Sequence, residues 1–143
     1  FRSWGAQGIA MLATRHGPDA VDAAARAAVA RLLDDAAPAV RVAAAEAVCR
    51  SGDPGRGLTV LEAVLRSDAE WPALQAANVL DRLGPIAAPA LPSMIATVEE
   101  ATRATAGDPA RSGRDRYVRD LLAHAIGVLD HSRTPLVYPT FRP

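Results

Sequence analysis

Four segments, beginning at Phe1, Val40, Pro72 and Val118, carry the same stripe of small and aliphatic residues. The next position of the stripe holds Gly5, Ala44, Ala76 and Leu122, and three residues on come Gly8, Ala47, Val79 and Ala125. Ile9, Val48, Leu80 and Ile126 follow, and the stripe closes at Leu12, Ser51, Leu83 and Leu129. This spacing is that of one helix face. Small residues in its middle let a helix lie close to two neighbours at once. Alternating with these segments are others with stripes of their own: Ala25, Val29, Leu32, Leu33; then Leu58, Leu61, Val64, Leu65; then Ile86, Leu91, Met94, Ile95, Val98. Each pair makes a helical hairpin that cannot bury its apolar face alone. Neighbouring hairpins must therefore stack, which predicts an all-α protein, an α-α superhelix of about seven helices.

Gly and Pro set the boundaries. Gly17-Pro18, Gly52-Asp53-Pro54 and Gly84-Pro85 each read as a stop followed by a start, because Gly closes a helix and Pro opens the next. The expected helices run over 1–15, 18–33, 38–51, 55–66, 70–83, 86–104 and 115–130, with an exposed loop over Thr105–Arg114. Residues 1–130 make one repeat domain, and 131–143, with Pro135, Pro139 and Pro143, an extended tail. The stripe at Phe1 belongs to the second helix of a hairpin, so the domain is expected to start mid-repeat, as a piece of a longer array. The core follows from composition: half the residues are hydrophobic but only 4% aromatic, leaving Ala, Leu, Val and Ile to fill it. Strand-forming β-branched and aromatic runs are missing.

The 16 acidic and 16 basic residues balance, and every basic one is Arg. A chain without a basic excess is not expected to bind nucleic acid or a membrane surface. The Arg-only usage fits either an anion-binding surface or a GC-rich genome. Arg111, Arg114, Arg116 and Arg119 cluster, but Asp108, Asp115 and Asp120 lie among them, so a solvated loop and helix start is the reading. No apolar run approaches the length needed to span a bilayer.

No catalytic pattern is complete. Cys49 and Arg56 are separated by six residues where a phosphatase loop needs five, and Ser51 stands where a sulfatase nucleophile motif needs Pro. Cys49 also falls near a helix C-terminus, where the dipole disfavours a thiolate. His16, His124 and His131 are scattered without metal-ligand spacing. Glu99 and Glu100 are adjacent on a helix and point apart, and Gly5 and Gly8 lie on a helical stripe, not in a phosphate-cradling loop. Hence no catalytic residue, no cofactor and no metal are expected in this chain.

The strongest local pattern is Asp35-Ala-Ala-Pro38-Ala-Val40-Arg41, followed by Ala43-Ala44-Ala45 and Gly52-Asp53. It resembles the second-helix signature of HEAT repeats, and the hairpin lengths of roughly 32–46 residues are compatible with such arrays. Arg recurs at one stripe position as Arg2, Arg41 and Arg119, with Ala73 the exception, and Asp35 and Asp115 are its candidate partners. Such a ladder either locks successive repeats together or receives a sulfate, phosphate or carboxylate. Trp71 and Tyr117 share the position just before the stripe, where they either close a hydrophobic staple or grip a partner, together with Arg41 and Arg119.

Five segments in order are Phe-Arg-Ser-Trp-Gly-Ala-Gln-Gly at 1–8, Val-Arg-Val-Ala-Ala-Ala-Glu-Ala at 40–47, Asn-Val-Leu-Asp-Arg-Leu-Gly at 78–84, Ala-Pro-Ala-Leu-Pro at 88–92 and Tyr-Val-Arg-Asp-Leu-Leu-Ala-His at 117–124. Together they resemble the HEAT-like C-terminal region of bacterial sulfatases related to heparan N-sulfatases. The resemblance implies a non-catalytic accessory region of an exported sulfatase, periplasmic or extracellular, with a catalytic domain in cis as its partner. It transfers no catalytic or metal residue, because none of that family's formylglycine or metal positions has a counterpart here. The alternative is an independent HEAT-type protein-interaction domain, cytoplasmic in that case. Contact with a sulfated glycan is a lesser expectation. A bilin-lyase-type repeat protein would carry more usable Cys, His or acidic clustering.

Overall fold

The structure, a computed structural model, describes residues 1–107 and 112–130. Among the described residues seven α-helices follow one another: α1 Arg2–His16, α2 Ala23–Arg31, α3 Pro38–Arg50, α4 Pro54–Leu65, α5 Glu70–Leu83, α6 Leu91–Gly107 and α7 Ser112–Leu129. There is no strand among the described residues. The protein is all-α.

The packing follows the two sets of stripes. Helix α1 lies on α3, α3 on α5, and α5 on α7, so the odd helices form one layer. Within the hairpins α2 packs on α3, α3 on α4, and α6 on α7, while α4 also meets α5. An i, i+2 layer of this kind fits a superhelical solenoid. Helix α3 is flanked on several sides, and every residue from Val42 to Cys49 is buried. Ala43, Ala44, Ala45 and Ala47 make that possible, because a larger side chain would hold the neighbouring backbones apart. Leu61, Leu65, Leu80, Met94, Leu122 and Val29 fill the rest of the interior as its largest fully buried side chains. Each contributes about 1.5–3 kcal/mol by leaving water.

Local chemistry explains the helix ends. Pro38 and Pro54 sit in the first turns of α3 and α4, where a missing N–H costs nothing. The Asp53 carboxylate caps α4 by accepting from the Arg56 N–H at 3.4 Å. Gly17, Gly52 and Gly84 end helices at φ of 84°, 104° and 55°, backbone that other residues adopt only with strain.

Three boundaries differ from expectation. The stretch over 18–33 is not one helix but two 3₁₀ turns, Pro18–Ala20 and Leu32–Asp34, around α2. Asp22 is the reason: its backbone is extended, and its carboxylate accepts from the Ala25 N–H at 2.7 Å, restarting the helix there. Likewise Gly84–Ala90 is a 3₁₀ segment and α6 starts only at Leu91. Pro85 and Pro89 deprive that stretch of the donors an α-helix would need. Of the expected loop over Thr105–Arg114 the described residues are helical, since α6 runs to Gly107 and α7 begins at Ser112, and 108–111 lie outside the described residues. The Thr105 hydroxyl donates back to the Ala101 carbonyl at 2.9 Å and so sits in the helix. The expected tail over 131–143 lies outside the described residues.

Candidate binding groove

On the odd layer, the outward residues repeat in register. Helix α5 shows Trp71, Gln75, Asn78 and Arg82, spaced four, three and four apart on one face. The equivalent positions of α3 are Ala39, Ala43, Glu46 and Arg50; α1 supplies Trp4, Gln7 and Met11, and α7 supplies Tyr117, Leu121, His124 and Val128. Because α3 carries alanine where its neighbours carry large side chains, its surface is the floor of a groove. The groove holds about 490 Å³, with Gln7, Met11 and Thr14 along one wall and Gln75, Asn78 and Arg82 along the other.

One end of this groove is closed by an ionic cluster. Glu46 is nearly buried and accepts from two guanidiniums. Arg82 approaches it side-on, with Nη2 at 2.7 Å from Oε2 and Nε at 3.4 Å from Oε1. Arg50, one turn along α3, donates through Nε and Nη2 to Oε1 at 3.2 Å, and its Nη2 also reaches the Arg82 carbonyl at 3.1 Å. The cluster joins α3 to α5. Its two cations exceed its one carboxylate, and Arg82 is 55% exposed. Beside it, Asp81 turns toward α7 and bonds the Nδ1 of His124 at 2.6 Å.

The sequence held signals for this cluster. Glu46 and Arg50 have the i, i+4 spacing of a helical ion pair, and Arg82 occupies the repeat position of Arg50. None of the three falls on the apolar stripe, so the stripe carries no sign of them.

The expected arginine ladder is divided. Arg2 Nε pairs with Asp35 Oδ2 at 2.8 Å, while Asp35 Oδ1 accepts the Ala37 N–H at 2.9 Å. Arg41 does not meet a carboxylate: its Nη1 donates to the backbone carbonyls of Asp35 at 2.8 Å and Ala36 at 3.2 Å. These three residues thus tie α1 to the turn before α3. Arg119 instead holds its neighbour Asp120 through two bonds of 3.1 Å. Asp115 lies apart, in a cleft with Arg66, Asp68, Thr97 and Glu100. Trp71 and Tyr117 are 73% and 63% exposed, so neither closes a staple.

Cys49 is buried, with its Sγ 3.8 Å from the Pro54 carbonyl. Burial pushes its thiol pKa up to about 12, with the nearby Arg50 guanidinium only partly opposing the shift. A protonated thiol is a poor nucleophile. In the native protein Cys49 is expected to resist iodoacetamide at pH 8 and to react once denaturant unfolds the chain; rapid native labelling would contradict the burial. Because the folded pKa is raised, this group's contribution to stability is full below pH 9 and is lost as pH rises through 12.

Among the described residues no three His, Cys, Asp or Glu side chains are grouped to hold a metal ion. No described helix is long and apolar enough to cross a membrane. The fold and groove define an all-α protein with a polar, aromatic-edged face on one helix layer. No family model, curated protein or solved structure matches the chain.

Proposed function

We propose that this chain is a non-catalytic HEAT-type scaffold that holds a partner protein on the face formed by α1, α3, α5 and α7. One observation carries the reading: Trp71 and Tyr117 are largely exposed at equivalent positions of that face, Trp4 is largely exposed at the next position of the register, and α3 presents alanine as the floor of a groove between α1 and α5. Exposed aromatics supply rigid contact area at low entropic cost, as at binding hot spots. The repeat signature around Pro38–Arg41 and the i, i+2 packing of the odd helices support the HEAT assignment.

As its setting we propose the C-terminal accessory region of a bacterial sulfatase, with the catalytic domain as the partner in cis. The order of the five segments between Phe1 and His124 favours this over an independent interaction domain. The gene decides it. A Cys or Ser followed by x-Pro-x-Arg in the reading frame upstream of Phe1 is expected, and a frame without it removes the sulfatase setting.

Arg41 in this reading holds the fold together. Arg41→Ala is expected to lower the melting temperature by a few degrees, through loss of the two carbonyl contacts. Binding to heparin should be equally weak before and after the change. A selective loss of heparin binding, with the melting temperature intact, would instead make Arg41 a glycan contact.

A further inference from the structure

The groove's own chemistry narrows what it takes. Gln7, Gln75 and Asn78 line its walls, and their side-chain amides make no hydrogen bond among the described residues. An amide both donates and accepts, so such walls suit a ligand with unused N–H and C=O groups. An extended peptide has them along its whole length, whereas a helix satisfies its backbone internally. From Ala39 to Arg50 the floor of α3 runs about 16 Å at 1.5 Å per residue, the length of about five extended residues. The two ends of that run differ. At the Ala39 end Trp71 lies one turn before the wall residue Gln75 on the same face of α5, Trp4 lies one turn before Gln7 on α1, and both tryptophans are exposed. At the other end are Arg50 and Arg82, whose Nη1 groups have no partner among the described residues, while Glu46 is already shared by both guanidiniums. That end offers cationic donors and no free acceptor.

We infer that the groove binds an extended acidic segment of a partner protein, with an apolar side chain against the tryptophan end and a carboxylate, four or five residues away, on Arg50 and Arg82. The segment's backbone hydrogen-bonds Gln7, Gln75 and Asn78. This inference rests on the scaffold reading and adds the partner's chemistry to it.

The test uses a positional-scanning array of acetylated and amidated octapeptides, probed with the intact chain. Selected peptides are then measured by fluorescence anisotropy against the parent and the Trp71→Ala, Gln75→Ala and Arg82→Gln variants. Trp71 and Gln75 are exposed, so their truncation leaves folding intact and keeps the test valid if Arg82→Gln loosens the cluster. The expected result is selection of Asp or Glu over Lys, four or five residues from an apolar side chain. Affinity should fall about tenfold in Trp71→Ala and in Arg82→Gln, and should weaken between 50 and 300 mM salt. Selection of basic or neutral peptides that still depend on Trp71 would overturn the acidic assignment and leave the scaffold reading standing. So would a helical peptide, or a second copy of the chain, competing for the same residues. Acidic peptides indifferent to Trp71, Gln75 and Arg82 would overturn the inference as well. If no peptide of any composition binds and Trp71→Ala changes no interaction with the partner, both readings fall.

Discussion

Glu46→Ala is expected to destabilise the fold by about 2–3 kcal/mol, among the larger effects available to a single polar residue. Its carboxylate is the one acceptor between two guanidiniums, and its removal leaves Arg50, 14% exposed, without a counter-charge. Arg82 loses less, because it is half in solvent and can rehydrate. The same reasoning predicts a rescue. Glu46→Leu combined with Arg50→Met should recover most of the loss, since an apolar pair of similar volume has no charge to desolvate. Urea unfolding of the three proteins measures both effects. A loss below about 0.5 kcal/mol in Glu46→Ala would mean that the cluster is solvated and contributes no more than an ordinary surface pair.

Gly57→Ala is expected to cost about 2 kcal/mol, against the usual gain from replacing a helical glycine. A Cβ built on Gly57 stands 2.6 Å from the Ala45 carbonyl oxygen and closer still to Cys49 Sγ, well inside van der Waals contact with both. Neither can yield: the oxygen belongs to the backbone of buried α3, and the sulfur is packed between α3 and α4. The helices must separate to admit the methyl group. Gly5→Ala on α1 is the control, because nothing lies within 4 Å of the new Cβ. It should stabilise by up to about 1 kcal/mol through helix propensity alone. Equal thermal shifts in the two variants would sink the close-packing account of α3 and α4.

The fold was legible because two periodicities coincide in this chain. The 3.6-residue stripe marks each helix, and its recurrence at Phe1, Val40, Pro72 and Val118 marks the layer, which is the layer α1, α3, α5 and α7 form. What escaped was set by single side chains. Asp22 cuts a helix that the apolar pattern runs straight through, since capping acts on one backbone N–H and leaves no periodic trace. Pro85 and Pro89 do the same before α6. The groove was hidden for a different reason. A stripe announces what is buried between helices, while Gln7, Glu46, Asn78 and Arg82 meet only across three helices, each an unremarkable polar residue on its own segment. Arg2, Arg41 and Asp35 were recognisable as a group, yet which atom of Asp35 each arginine would meet depended on the turn before Pro38.

The groove's walls belong to α1 and α5, and both are mounted on α3. Its width is therefore governed by two angles, that of α1 against α3 and that of α5 against α3, much as the gap between two leaves is governed by the spine that carries them. Anything that fits between the walls reads the bend of the stack at α3. By reciprocity it also fixes that bend, since a ligand and the shape it favours stabilise each other equally. The Glu46 cluster braces one of the two angles, holding α5 to α3, and so leaves α1 as the more compliant wall.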